Sequence, residues 1–399
     1  MKFIAFLEIH PDKLESFIEK LSGENLTGNN VKVLYPFQIL AETYKEIAGF
    51  IIFESKNLLG RWLEIKKYLS KYAQEGVNLK LIPIWENSKL IKELNKFREA
   101  KQKAEQQWER AKYKKIDNIG TTKTLEILPL IDWHSNREDL KVELGVSYLI
   151  KTDEKSILFD VGLNSLQSDP SPLLINMKQL GISLEEIDII VISHNHGDHV
   201  GGGKWSENKT FSLTANQIDL GKKKVYTPVP MIYPGLTPIC SEEPMIVAKG
   251  VATIGTISNS LFLFGIEKEQ ALAINVEGKG IVLIVGCGHQ TLFKIIERTE
   301  TLFDEPIYGL LGGLHYPVNG GPIEIMGWFP HKTFGTGKLP WQPITVEELK
   351  ENIQFLKKRN PKIIALSAHD SSEISLKAFQ DAFPKLIREI NVGERIIIG

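Results

Sequence analysis

The stretch Ile187-Asp188-Ile189-Ile190-Val191-Ile192-Ser193-His194-Asn195-His196-Gly197-Asp198-His199 joins a β-branched apolar run to four metal-binding side chains within six residues. The first half reads as a strand buried on both faces, because such strands are continuously apolar rather than alternating. The second half has no use in a core. Neutral imidazoles and a carboxylate are the donors that hold zinc, iron or manganese. The chain has only nine histidines in 399 residues, so this clustering is not what chance gives. The loop reads as part of a metal site, with a solvated His-rich loop as the bland alternative.

Three further histidines sit in the same setting, just after an apolar run. His289 ends Val285-Gly286-Cys287-Gly288-His289, His315 ends Gly312-Gly313-Leu314-His315, and His369 lies in Ser367-Ala368-His369-Asp370. Loops at strand C-termini let side chains from separate strands converge on one point. A satisfied structural histidine is the competing reading for each, and for His315 it is equally good. Asp160, in Phe159-Asp160-Val161-Gly162, also follows a strand. It can accept the second ring N–H of a metal-bound histidine, or simply form an Asp-x-Gly turn. Cys287 reads as a small residue packed beneath its loop, with soft metal ligand as the second reading. His10 reads as a surface residue, and His134 and His331, in loops rich in aromatic residues, as surface or packing residues with pocket lining as the alternative.

Bulk properties narrow the class. At 42% hydrophobic and 24% charged, the chain has the composition of a globular protein. A net charge of −1 supplies no field to attract nucleic acid, so no nucleic-acid partner is expected. The two cysteines, Cys240 and Cys287, form no paired motif and fit a reducing compartment. The N-terminal apolar run is too short for a signal peptide, and no stretch reaches ~18 apolar residues. A cytoplasmic protein without a membrane partner is expected.

Residues 1–98 show strands at Phe3–Ile9, Val31–Ile39, Ile47–Phe53 and Val77–Trp85, with helices at about 11–21 and 57–72. The order β-α-β-β-α-β predicts a ferredoxin-like α+β domain, a candidate module for homodimerisation, regulation or covering a substrate. Residues 99–117 form a charged helical linker with a solvated face. Residues 118–399 mix closely spaced strands with helices, which predicts an α/β domain of two sheets between helix layers.

Residues 118–399 resemble the metallo-β-lactamase superfamily, through Asp160, the His194/His196/Asp198/His199 loop, His289 and His369. The resemblance implies an αββα sandwich and a divalent-metal centre of one or two ions, zinc first, with manganese or iron as alternatives. By that pattern His194, His196 and His289 hold one ion, and Asp198, His199 and His369 hold a second. The stretches Glu143-Leu144-Gly145-Val146-Ser147, Leu174-Ile175-Asn176, Val285–His289, Gly312–His315 and His369-Asp370-Ser371-Ser372 are similar to the dihydropterin-6-yl-methyl ribofuranosylaminobenzene 5′-phosphate synthase branch. Two departures stand out. Asp-Ser-Ser follows His369 where that branch has Cys-Thr-Gly, and Gly312-Gly313 replaces the Gly-Asp whose carboxylate bridges two ions in most members. His315 is a candidate extra ligand.

The scaffold hosts many chemistries. The expected function is a metal-dependent hydrolase or related transferase that attacks a small-molecule ester, amide or phosphate, with a pterin-like substrate considered. Asp198, if free of an ion, would orient or deprotonate the attacking water. The segment Tyr316–Pro343, with Tyr316, Trp328, Phe329, Phe334 and Trp341, reads as a pocket wall for a planar substrate, with a structural loop packed on the N-terminal domain as a nearly equal reading. The alternatives are a mononuclear iron oxidoreductase or dioxygenase, and a metal-binding regulatory protein with a residual site. A nuclease is disfavoured by the charge balance.

Overall fold

The computed structural model of the protein describes residues 2–8, 31–34, 49–54, 78–83, 87–324, 329–339 and 342–399. Strands β1 (Lys2–Glu8), β2 (Val31–Leu34), β3 (Gly49–Glu54) and β4 (Asn78–Pro83) form an antiparallel sheet in the order β2-β3-β1-β4. The helices expected at 11–21 and 57–72, and His10, lie outside the described residues.

After helix α1 (Asn87–Arg110) the strands crowd together. They are β5 (Leu125–Ile131), β6 (Ser147–Lys151), β7 (Ser156–Phe159), β8 (Ile189–Val191), β9 (Lys224–Thr227), β10 (Ile239–Cys240), β11 (Met245–Ala248) and β12 (Val251–Thr253). A hairpin, β13 (Ile257–Leu261) and β14 (Gly265–Glu269), precedes β15 (Leu272–Val276), β16 (Gly280–Val285), β17 (Ile307–Gly312), β18 (Ile363–Leu366), β19 (Ile387–Glu389) and β20 (Ile396–Ile398). The helices after α1 are α2 (Pro172–Gln179), α3 (Gly197–Val200), α4 (Gly203–Glu207), α5 (Leu292–Leu302), α6 (Pro330–Phe334), α7 (Val346–Lys357) and α8 (Glu373–Ala382).

Two seven-stranded mixed sheets result, ordered β10-β9-β8-β7-β6-β5-β20 and β11-β12-β15-β16-β17-β18-β19. The side-chain period of two shows how they stack. Ile189 and Val191 join Val282 and Ile284 in one core between the sheets, while Ile190 and Ile192 pack outward with Leu173 and Met177 of α2. On the other sheet Ile281, Leu283 and Val285 pack outward with Leu292, Ile295 and Ile296 of α5 and with Leu349 and Ile353 of α7. The layers are therefore helix, sheet, sheet, helix. Both faces of β8 and β16 are covered, which is why their sequences are apolar without alternation.

Each sheet is antiparallel on one side and parallel on the other. β7, β8 and β9 run parallel, as do β16, β17, β18 and β19. The loops leaving β7, β8, β16, β17 and β18 carry Asp160, the His194–His199 cluster, His289, His315 and His369 in turn. Parallel strands must end on a common edge, and that edge is where these loops meet.

The helix over the linker region has one solvated face and one docked face. Helix α1 begins before residue 99, ends at Arg110 and is not solvated all round. Leu94, Phe97 and Ala104 are buried, and Phe97 packs edge-on against Phe262 with ring centroids 6.1 Å apart. At its far end Trp108 faces two cations of α5: the Arg298 guanidinium at 5.0 Å and the Lys294 ammonium at 5.4 Å from the ring centroid. Arg298 is buried, and burial pulls its pKa down; the faces of Trp108 and Tyr113 offset part of that cost. Trp108→Ala is expected to destabilise the protein by about 2–3 kcal/mol, from lost packing and cation–π contact. Denaturant titration measures this, and an unchanged midpoint would refute the docking role. Among the described residues no helix is long and apolar enough to cross a membrane.

Candidate metal centre

Ring nitrogens from two sheets converge at the loop edge. His194 Nε2 lies 3.0 Å from His196 Nδ1, which in turn lies 3.2 Å from His289 Nε2. The far nitrogens settle which tautomers these are. His194 Nδ1 is 2.9 Å from Ser193 Oγ, whose own hydrogen goes to Asp160 Oδ2 at 2.6 Å. His289 Nδ1 donates to the Gly335 carbonyl at 2.8 Å. Both rings therefore carry hydrogen on Nδ1 and turn bare Nε2 lone pairs inward. Lone pairs facing one another without a proton between them suit a cation, and three imidazoles are a set that zinc accepts. Burial drives the pKa values of His194 and His289 well down, which keeps both rings neutral. For His196 burial acts in the same direction, but Glu267, with Oε2 3.3 Å from His196 Nε2, offsets it and the net shift is upward.

A second group adjoins the first. Asp198 Oδ2 is 3.5 Å from His199 Nε2, and Cys287 Sγ is 3.0 Å from His199 Nε2 and 3.2 Å from His369 Nε2. The ligand atoms of Asp198, His199, Cys287 and His369 all lie within 4.8 Å of one another, close enough to share one ion. His199 Nδ1 donates to Asp160 Oδ2 at 2.7 Å. His369 Nδ1 is 2.6 Å from Ser367 Oγ, which donates to the Asp132 carboxylate at 2.8 Å. Burial pushes the Asp198 carboxyl up, but the His199, His196 and His369 rings overcome this and hold it well below the usual range. Burial pulls His199 down, yet Cys287, Asp198 and Asp160 raise it well above an ordinary histidine.

Asp160 thus touches His199 directly and His194 through Ser193, as the sequence suggested. Its φ of 59° is a left-handed conformation that aspartate tolerates better than most residues. His315 is buried, and its ring centroid is 4.7 Å from that of His289. Its Nε2 donates to the His331 carbonyl at 3.0 Å, while its Nδ1 lacks a hydrogen-bond partner. Burial first, then His331, lowers its pKa to about 3. His331 is half-buried beside it, with ring centroids 5.9 Å apart. His134 lies elsewhere, lining a surface cleft with Ser135, Asn136 and Arg388.

Several residues escaped the sequence reading. Asp132 accepts hydrogen bonds from Ser367, from Tyr148 and from the Trp133 amide. Glu269, fully buried, accepts the backbone N–H groups of Cys287, Gly288 and His289 at 2.7–2.9 Å and shapes that ligand loop. Burial raises its pKa to about 7 against those bonds. The adjacent serines Ser193 and Ser367 were the available signal, since each stands one or two residues before a ligand histidine.

The expected aromatic wall needs correction. Tyr316 is buried against Phe379, and its hydroxyl donates to Asn352, so it belongs to the core. Trp328 and Trp341 lie outside the described residues. Phe334 does approach the centre: it packs edge-on against Phe264, whose ring centroid is 5.8 Å from that of His196. Phe264, at the turn of the β13–β14 hairpin, is 61% exposed and had not been singled out.

Residues 140–211, which include the ligand loop, match the model of the metallo-beta-lactamase superfamily. A 7,8-dihydropterin-6-methyl-4-(beta-D-ribofuranosyl)-aminobenzene-5′-phosphate synthase of Methanocaldococcus jannaschii is 26% identical over 240 residues, 50% of this chain and 80% of the relative. An uncharacterized protein of the same archaeon is 26% identical over 206 residues, 43% of this chain and 72% of its own. A solved structure described as a metal-dependent hydrolase of the beta-lactamase superfamily covers 68% of this chain and 98% of its own, at 18% identity and a TM-score of 0.45.

Proposed function

For a chain of the metallo-β-lactamase superfamily, matched through residues 140–211, we propose a metal-dependent hydrolase or related transferase acting on a small-molecule ester, amide or phosphate. The observation that carries this is the convergence of three imidazole nitrogens, from His194, His196 and His289, with the outer nitrogens of His194 and His289 already hydrogen-bonded. A divalent ion, zinc first, would be held there and by Asp198, His199 and His369, and it would act as a Lewis acid and supply a nucleophile from water at neutral pH.

The protein's own groups do the rest. Asp160 and Ser193 fix the rings of His194 and His199, and Asp132 with Ser367 fixes His369. Outer partners of this kind typically set metal affinity by ~10–100-fold. Where no second ion takes Asp198, its carboxylate can orient the attacking water or take its proton. Phe264 and Phe334 offer an apolar wall beside His196 for a flat substrate. The pterin in the product named for the archaeal synthase makes a pterin-like substrate the first class to try.

The four-stranded N-terminal sheet, read as a ferredoxin-like domain, is assigned to dimerisation or to covering the substrate. The deciding measurement is metal content per chain in protein purified without chelator, followed by assays on small esters and phosphoesters. One or two equivalents of zinc or manganese with metal-dependent turnover are expected. A chain that neither carries metal nor takes it up would overturn the reading, and iron with oxygen-dependent turnover would replace hydrolysis with oxygen chemistry.

A further inference from the structure

Position 313 cannot supply a carboxylate between the two ligand groups. A Cβ on Gly313 would overlap Asp370 Oδ2 and the Gly286 carbonyl, and would stand 2.8 Å from His369 Cε1. The Asp370 carboxylate fills this space from the neighbouring strand end, already accepting the His315 amide at 3.1 Å and the Ser371 hydroxyl at 2.8 Å. Something else must balance the charge of ions held by so many neutral rings.

The side chain in the right place is Cys287. Its sulfur belongs to three clusters of candidate ligands: with Asp198, His199 and His369; with His194 and His289; and with His315 and Asp370. The sulfur is fully buried, and its loop is pinned from behind, because Glu269 accepts the Cys287 and Gly288 amides, each at 2.9 Å. Gly286 packs so closely on Ser193 that a Cβ there would stand 2.7 Å from Ser193 Cβ. The loop therefore has little room to move the sulfur elsewhere.

His199 and His369 both use Nδ1 to bond outward, to Asp160 and Ser367. Their Nε2 atoms converge on the sulfur, at 3.0 and 3.2 Å, as donors around one ion would. A thiolate and two imidazoles around a cation satisfy all three.

We infer that Cys287 is a metal ligand, its thiolate shared between the His194/His196/His289 and Asp198/His199/His369 positions in place of the carboxylate that Gly313 lacks. This rests on the metal-centre reading above. Thiolate is a soft donor that suits zinc, cobalt or iron and would bias the centre against magnesium or calcium. The bond forms with loss of the thiol proton to solvent, so no oxidant or reductant is involved.

Cobalt(II) substitution of the full chain tests this directly. The wild-type protein should bind cobalt with both visible d–d bands and an intense near-ultraviolet sulfur-to-cobalt band. Cys287→Ser should lose the near-ultraviolet band and keep the d–d bands, with affinity for the second equivalent weakened by roughly tenfold or more. Cys240→Ser should keep every band, since Cys240 lies on β10. Cobalt bound with d–d bands but no sulfur band in the wild type would overturn the role of Cys287 and leave the metal centre standing. No cobalt bound at all would overturn both. Should Cys287→Ser fold poorly, Cys287→Ala and the wild-type spectrum decide the matter.

Discussion

His196→Ala is expected to abolish turnover and to strip the metal from the His194/His196/His289 position. His196 is the common neighbour there: its Nδ1 lies 3.0 Å from His194 Nε2 and 3.2 Å from His289 Nε2. Without it two imidazoles remain, and two neutral nitrogens hold zinc poorly when four donors are the norm. Loss of an outer partner already costs ~10–100-fold in affinity or activity, so loss of a ligand should exceed that range. The fold should survive. His196 stands at the start of the short helix α3, its side chain is 22% exposed, and it makes no side-chain cap there. Elemental analysis after dialysis, run beside thermal melting of the metal-free proteins, separates the two effects. A variant that keeps stoichiometric metal and full turnover would remove His196 from the centre.

That prediction was legible in the sequence, and the reason is physical. A strand buried on both faces writes an unbroken apolar run, and a ligand loop breaks it with residues no core would accept. Ile187–Ser193 against His194–His199 is the sharpest such boundary, and Ile281–Val285 against His289 is the next. The actual strand is shorter, Ile189–Val191, because Ser183 caps a turn of 3-10 helix at Leu184–Glu186 just before it. What could not be read is the set of partners brought in from a distance. Asp132 reaches Ser367 across 235 positions of sequence, and Glu269 reaches the 287–289 loop from a hairpin whose strands carry no clean alternation. A lone acidic residue looks like surface until its partners are known. Tyr316 failed in the opposite direction: an aromatic residue beside a ligand loop looked like a pocket wall, yet its ring faces Phe379 and its hydroxyl donates to the half-buried Asn352.

Gly145→Ala should do severe structural damage beside the centre. Gly145 precedes β6, with φ of 105°, a conformation that favours glycine. A Cβ there would overlap the Asp198 carbonyl oxygen and stand 2.9 Å from its carbonyl carbon and 3.0 Å from its Cβ. These are atoms of a ligand residue fixed at both ends, by His196 and by His199, so they cannot yield without moving the ligands. The left-handed backbone contributes about 1–2 kcal/mol and the overpacking about 1–3 kcal/mol, so a total near 2–5 kcal/mol is expected. Gly181→Ala supplies the control. Gly181 has φ of 68°, and nothing lies within 4 Å of its Cβ position, so only the backbone cost should appear. Denaturant unfolding of both variants isolates the steric contribution by difference. Gly145→Ala should also lose metal at the Asp198/His199/His369 position, while Gly181→Ala should keep it. Equal destabilisation by the two variants, with metal retained in both, would mean that Gly145 is conserving only a turn and that Asp198 does not depend on its closeness.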